Sequence, residues 1–232
     1  MIRAITLDLD DTLWPIAPVI ERAEQAVHAY FERHCPAVSA RFPVSAMSAL
    51  REQIAAQHPH LSHDFSAQRR LSLRAALDAC AASQHHLEPA FEAFFAARNQ
   101  VDLYPDSQPA LQQLAERWPL AALTNGNADL GRIGLTRWFR FSLGAREHGA
   151  GKPEPSIFHA ACERLGSKPA HTLHVGDDPW LDIAGAAAAG LRTCWINRHD
   201  SLWPAQLPPA DFTISRLDQL QPLLQPDIAD CV

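Results

Sequence analysis

Two textures alternate along the chain. Ile2 to Leu9 is a short apolar run, rich in β-forming residues, that closes on acids. A run this short and this continuous predicts a strand buried on both faces of a parallel sheet. Asp10 to Pro18 holds Thr12, Pro15 and Pro18 and reads as loop. From Val19 to about Arg98 the spacing changes. Ile20, Ala23, Val27, Tyr30 and Phe31 recur every three to four positions, the signature of one helix face. Pro36 and Pro43 bracket a break, Val44 to Gln57 reads as a second helix, and Ser66 is the expected N-cap of a third that runs to about Ala82. Phe91, Phe94 and Phe95 lie on one face of a fourth.

The first texture returns near Val101. Strands are expected at Leu120 to Leu123, Phe141 to Leu143, Thr172 to Val175, Thr193 to Ile196 and Phe212 to Ile214. Between them, Gln108 to Glu116, Ser156 to Leu165 (capped by Ser156) and Leu181 to Ala189 (ended by Gly190) read as helices. Alternating strands and helices predict a three-layer α/β core, a mostly parallel sheet with helices on both faces. The helical stretch is then an insert after the first strand. Expected boundaries are 1–14 and 104–232 for the core and 15–103 for the insert.

Composition narrows the class. The chain has 232 residues, 47% of them hydrophobic and 20% charged, which suits a folded globular protein with a sizeable core. Its net charge of −6 gives no sign of a nucleic-acid-binding face. No stretch is apolar enough for a membrane span, and the start MIRAITLDLD lacks the basic end and long apolar core of a secretory signal, so a cytoplasmic protein is expected. Cys35, Cys80, Cys162, Cys194 and Cys231 are scattered and without a C-x-x-C pair, as expected of reduced packing residues. Lysine occurs only at Lys152 and Lys168.

The polar residues at the predicted strand ends are of one kind. Asp8, Asp10 and Thr12 follow the first strand, Thr124, Asn125 and Gly126 the second, and Asp177, Asp178 and Asp182 a later one. Lys152 lies in a Gly-Lys-Pro turn between the last two. In open α/β sheets ligands bind beyond the carboxyl ends of strands. Carboxylates gathered there repel one another unless a cation compensates, and oxygen-only ligation suits Mg²⁺ together with substrate phosphate. A carboxylate can act as nucleophile, and a second one two residues on as general acid and base.

These residues resemble the four motifs of the haloacid dehalogenase (HAD) superfamily. DLDDT at Asp8 to Thr12 resembles motif I, TNG at Thr124 to Gly126 motif II, GKPEPSIF from Gly151 motif III, and GDDPWLDIAGAAAAGL from Gly176 motif IV. The order and spacing match over essentially the whole chain. The resemblance implies a Rossmann-like core with an all-helical C1 cap. It implies Asp8 as nucleophile and Asp10 as acid and base. Mg²⁺ would be held by Asp8, the Asp10 carbonyl and Asp177, and the phosphoryl group by Thr124, Asn125 and Lys152. Thr12, Gly126, Asp178 and Asp182 would support them. Asp182 would hold the metal's waters or orient Lys152, and Asp178 would be either a solvated loop residue or metal support. The cap would close on hinges near Pro15 to Pro18 and Val101 to Pro105.

The same resemblance ranks the chemistries. Dehalogenases of the superfamily lack the second motif I aspartate, which is present here as Asp10. Phosphonatases need a cap lysine, and residues 15–103 contain none. A phosphomutase and a catalytically silent binding module stay open. The histidines at 58, 60 and 63 and at 85 and 86 fit no clean ligand pair and are expected on the cap surface, and Pro153 after Lys152 excludes a P-loop. A longer match (TLDLDDTLW, WPLAALTNGN, LHVGDD, CWI) resembles a bacterial branch associated with flavin mononucleotide (FMN) and 5-amino-6-(5-phospho-ribitylamino)uracil phosphatase activity. The expected substrate is therefore a small phosphorylated metabolite. Trp14 and Trp180, beside motifs I and IV, are candidates to stack on its ring or to pack in the core.

Overall fold

The structure is a computed structural model and describes residues 1–224. Cys231 lies outside the described residues. Six strands, β1 (Ala4–Leu7), β2 (Leu120–Thr124), β3 (Phe141–Gly144), β4 (Thr172–Gly176), β5 (Arg192–Ile196) and β6 (Phe212–Ile214), form one parallel sheet in the order β3-β2-β1-β4-β5-β6. Every residue of β1, β2 and β4 is buried. That is why these strands read as unbroken apolar runs rather than as alternation. β1 is shorter than the apolar run around it, although the Asp8 amide still donates to the Val175 carbonyl at 2.9 Å.

The helices, in chain order, are α1 (Ile16–His34), α2 (Pro36–Arg41), α3 (Val44–Gln57), α4 (Phe65–Ala79), α5 (Leu87–Arg98), α6 (Ser107–Ala115), α7 (Leu130–Ile133), α8 (Ala145–His148), α9 (Pro155–Leu165), α10 (Gly185–Ala188) and α11 (Leu220–Leu224). A π-helical turn, Pro179–Ala184, leads into α10. Several local expectations need correction. The segment between Pro36 and Pro43 is a short helix rather than a break, because Pro36 stands at its first turn, where a missing N–H costs nothing. The cap of α4 is Asp64, whose carboxylate accepts the Ala67 amide at 2.9 Å. Ser66 is the second residue of the helix. Glu154, without a side-chain cap bond, precedes α9, so Ser156 is not its cap.

The chain divides into two compact units. The first comprises Met1–Pro15, Asp102–Gly126 and the chain from Gly134, and contains the sheet. Against β2 and β3 it packs Ile157, Phe158, Ala161 and Ala186 from α9 and α10. The second comprises Ile16–Val101 and, in addition, Asn127–Ile133. This second stretch was not expected in the helical unit. It is tied there by Asn127 Nδ2 donating to Ser66 Oγ (3.2 Å), the Asp129 amide donating to Asn99 Oδ1 (2.7 Å) and an Arg132–Glu92 ion pair. The helical unit has a core of its own, built on Val27, Phe31, Leu73, Leu77, Phe91 and Phe94. Inside it Glu24 is buried between Arg69 and Arg51, and the Arg69 guanidinium lies 3.5 Å from the Phe94 ring centroid. Among the described residues no helix is long and apolar enough to cross a membrane.

Candidate active site

Strand order decides where the chemistry gathers. β1 and β4 are neighbours, with Leu7 in register with Val175, and the chain runs outward in opposite directions from this pair. The loops that leave their carboxyl ends diverge and open a crevice. Asp8 follows β1 directly and Asp177 follows β4, while Thr124 is the last residue of β2.

Lys152 is buried between two carboxylates. Its Nζ lies 2.5 Å from Asp8 Oδ1 and 2.6 Å from Asp182 Oδ1. Burial works against its charge, but Asp182 and Asp8 outweigh that and hold its pKa above the usual lysine range. One ammonium thus serves two acids, and they do not share it equally. Burial would raise Asp182, yet Lys152 and His174 hold its carboxyl well below the usual range. Asp182 Oδ1 faces His174 Nε2 at 3.1 Å, and its Oδ2 accepts the Asp178 amide at 3.0 Å. Asp8 is pushed well up by burial, which Lys152 opposes and Asp182, Asp177 and Asp10 reinforce. His174 is fully buried. Its Nδ1 lies 2.9 Å from Thr6 Oγ1, and burial depresses its pKa, so it faces Asp182 as a neutral Nε2–H donor.

Thr12 links the two strand ends, its hydroxyl 3.3 Å from Asp177 Oδ1 and 3.5 Å from Asp8 Oδ2. Asp177 is raised to about 7 by burial and by the nearby charges of Asp182 and Asp11. Asp8, Asp177 and Asp182 each bring a carboxylate oxygen within 4.8 Å of the others. Three acids against one ammonium leave an excess of negative charge on hard oxygen donors, and this donor set fits a cation of the Mg²⁺ class. It is the only such group among the described residues, so the cap histidines form none. Both oxygens of Asp182 are already engaged, Oδ1 with Lys152 and His174 and Oδ2 with the Asp178 amide.

The motif II residues divide their work. Thr124 Oγ1 accepts the Gly126 amide at 2.9 Å and keeps its own hydrogen to donate. Asn125 clasps the backbone of Lys152, with Oδ1 accepting the Lys152 amide (2.7 Å) and Nδ2 donating to its carbonyl (2.8 Å). The expected phosphate contact of Asn125 is therefore left to the second Nδ2 hydrogen. A Cβ on Gly151 would lie 2.6 Å from Asn125 Oδ1, so the clasp needs glycine there.

Two expected ring contacts separate. Trp180 is 51% exposed. Trp14 is fully buried and its indole Nε1 donates to Asp10 Oδ1 at 2.9 Å, so it offers no face to a ligand. A large apolar ring with a single N–H donor suits a buried position where that donor meets an acceptor. Asp178 has a local structural role: its Oδ1 caps the π-helical turn by accepting the Trp180 and Leu181 amides at 2.7 and 2.8 Å.

Several supporting residues escaped the sequence reading. Arg198 is buried against Asp106 in a two-bond ion pair (3.0 and 3.1 Å) and also donates to the Thr12 carbonyl. Asp106 Oδ2 also accepts the Leu217 amide at 2.7 Å. Trp195 Nε1 donates to the Asp177 carbonyl at 2.8 Å. A readable signal existed for Trp195 and Arg198, since both sit at the carboxyl end of β5, where site residues are expected. His174 carried none, being a lone histidine in an apolar strand.

Comparison with known proteins agrees with this geometry. Residues 2–190 match the family model of haloacid dehalogenase-like hydrolases. The chain is 35% identical over 231 residues to 5-amino-6-(5-phospho-D-ribitylamino)uracil phosphatase YigB of Escherichia coli (strain K12), covering 96% of each. It is 33% identical over 208 residues to the glyceraldehyde 3-phosphate phosphatase of Methanopyrus kandleri, covering 85% of each. Among solved structures, 2-haloacid dehalogenase from Pseudomonas syringae pv. Tomato DC3000 superposes with a TM-score of 0.90 at 38% identity, covering 97% of this chain and 98% of that one. With four strand-end motifs converging on one buried lysine and a family match across most of its length, the chain belongs to the haloacid dehalogenase-like hydrolases.

Proposed function

We propose that the chain is a Mg²⁺-dependent phosphomonoester hydrolase acting through an aspartyl phosphate on Asp8, with 5-amino-6-(5-phospho-ribitylamino)uracil or FMN as substrate. The observation that carries the reading is Lys152, held between Asp8 and Asp182 with Asp10 two residues beyond the nucleophile. An ammonium has three hydrogens. Two go to the acids, and the third is available to an oxygen of the transferring phosphoryl group. Thr124 Oγ1 and the remaining Asn125 N–H would donate to the others. The Asp8 carboxylate attacks phosphorus. Asp10 gives its proton to the departing alkoxide, then takes one from the water that cleaves the aspartyl phosphate. A divalent cation held by Asp8, Asp177 and the Asp10 carbonyl would neutralise charge on the phosphoryl oxygens. The helical unit is the cap of this reading, the part that selects among esters.

A second reading, haloacid dehalogenation, is favoured by the Pseudomonas syringae structure. It uses the same nucleophile, but halide leaves as a weak base and needs no proton donor. Asp10, two residues beyond Asp8, would supply the proton an alkoxide needs, and its presence supports the phosphatase. The substrate follows a relative matched over 96% of its length, whose name gives a ribityl phosphate. The test is Mg²⁺-dependent phosphate release from a panel of the two ribityl phosphates, sugar phosphates and nucleotides, with 2-chloropropionate added for halide release. Turnover confined to the ribityl phosphates and lost in Asp8→Asn is the expected result. Even turnover across the panel would remove the substrate assignment, and halide release without phosphate release would replace the phosphatase with the dehalogenase.

A further inference from the structure

Packing alone does not need a nitrogen at position 14. A phenylalanine would fill a fully buried apolar site, but the residue present is tryptophan and its N–H is aimed at a carboxylate. Trp14 Nε1 donates to Asp10 Oδ1 at 2.9 Å across a turn of five residues. The backbone closes that turn, with the Asp11 amide donating to the Trp14 carbonyl at 2.8 Å and Asp10 and Trp14 forming a bridge. The turn is also anchored from outside. The Leu13 carbonyl accepts the Tyr104 amide (2.9 Å) and the Ser107 hydroxyl (2.8 Å). The Thr12 carbonyl is held by Arg198, itself fixed by Asp106. The backbone that carries the indole is therefore held from outside the turn, and the fully buried indole keeps its N–H on Oδ1 of Asp10.

We infer that Trp14 is a positioning residue for proton transfer: its indole N–H occupies Oδ1 of Asp10 so that the transferable proton is carried on Oδ2. The inference rests on the reading of Asp10 as proton donor. In ester cleavage the Asp8–phosphorus bond forms and the phosphorus–oxygen bond to the alcohol breaks. The Oδ2 proton passes to that oxygen, leaving Asp10 as a carboxylate. In hydrolysis Oδ2 takes a proton from the attacking water, whose oxygen bonds to phosphorus as the Asp8–phosphorus bond breaks. Both steps restore the starting state.

The assignment separates esters by their leaving group. An alkyl phosphate expels a strongly basic alkoxide and needs the proton, whereas p-nitrophenyl phosphate expels a weakly basic phenolate and barely does. We would compare kcat/KM for FMN and for p-nitrophenyl phosphate in wild type and Trp14→Phe, since kcat/KM reports the cleavage step alone. The ratio of the alkyl to the aryl value should fall about tenfold in Trp14→Phe, a fraction of what general acid catalysis supplies in full. A ratio within about twofold of wild type overturns the assignment, and a parallel fall in both values would identify a packing role. Trp14→Phe could fail to fold, so a second measurement uses the native tryptophan. The Trp14 indole N–H proton resonance should move upfield in Asp10→Ala, and a resonance that stays in place overturns the contact. If wild type hydrolyses neither ester, the phosphatase reading fails first and the inference falls with it, while the resonance still reports the contact.

Discussion

Asp182 occupies the space where a side chain on Gly176 would go. A Cβ at Gly176 would lie under 3.0 Å from Cβ, Cγ and Oδ2 of Asp182, a separation real atoms do not tolerate. The obstacle is the short, buried side chain that holds Lys152. Gly176→Ala should therefore displace Asp182 and with it the ammonium. Misplacing such a group by about 1 Å costs on the order of 10²-fold in rate, and overpacking destabilises by about 1–3 kcal/mol. Phosphate release together with thermal melting checks this. Wild-type turnover in Gly176→Ala would show that Asp182 can relax without moving Lys152.

Lys152→Arg should not rescue Lys152→Met. A guanidinium is planar and larger than an ammonium, and the cavity between Asp8 and Asp182 is sized for a point charge at 2.5 and 2.6 Å. Both variants should lose about 10²–10³-fold in kcat, as when a donor to a developing charge is removed. Steady-state kinetics on the two proteins decides it, and an arginine variant within tenfold of wild type would show a looser site.

Asn125→Ala removes both bonds to the Lys152 backbone while leaving Thr124 in place. Two partly buried hydrogen bonds of this kind contribute about 1–3 kcal/mol together. The expected outcome is a lower melting temperature and a fall in kcat, with Asn125→Asp recovering only the bond from the Lys152 amide. Urea unfolding of the three proteins measures the first effect directly.

The helical unit should weaken in acid through Glu24. Burial alone would raise this carboxyl, but Arg69 and Arg51 more than offset it and hold its pKa below 4.5. The folded value is thus below the unfolded one. The stabilisation is complete above the unfolded pKa and is lost as pH falls through the folded value. Melting temperature should decline below about pH 4.5 in wild type, and less steeply in Glu24→Gln. At neutral pH the same substitution should cost about 3 kcal/mol, as for one broken buried ion pair.

Much of the fold is legible in the sequence because the sheet is covered on both faces. Each strand reads as a short apolar block, and the polar residues that end those blocks are the site. Lys152 was readable by its rarity and by the turn around it. The order of strands, which brings Asp8 beside Asp177 across 169 positions of sequence, is written in no local pattern. Partner choice was not readable. Nothing in the sequence says that Asn125 binds the Lys152 backbone, that Trp14 points inward at Asp10, or that Asn127–Ile133 joins the helical unit. Each of these depends on which surfaces meet after folding. Ser66 and Ser156 misled for a related reason, since several polar residues stand before each helix and only the backbone angle selects the cap.

Two indole rings end on the two strand-end loops that carry the acids, Trp14 at the Asp10 carboxylate after β1 and Trp195 at the Asp177 carbonyl after β4. Indole emission shifts with the electric field along the ring. A charge arriving between these aspartates alters the field at both rings from short range, without any movement of the chain. If the proposed cation binds there, fluorescence titration with Mg²⁺ should report its arrival through these two native rings, with no attached dye.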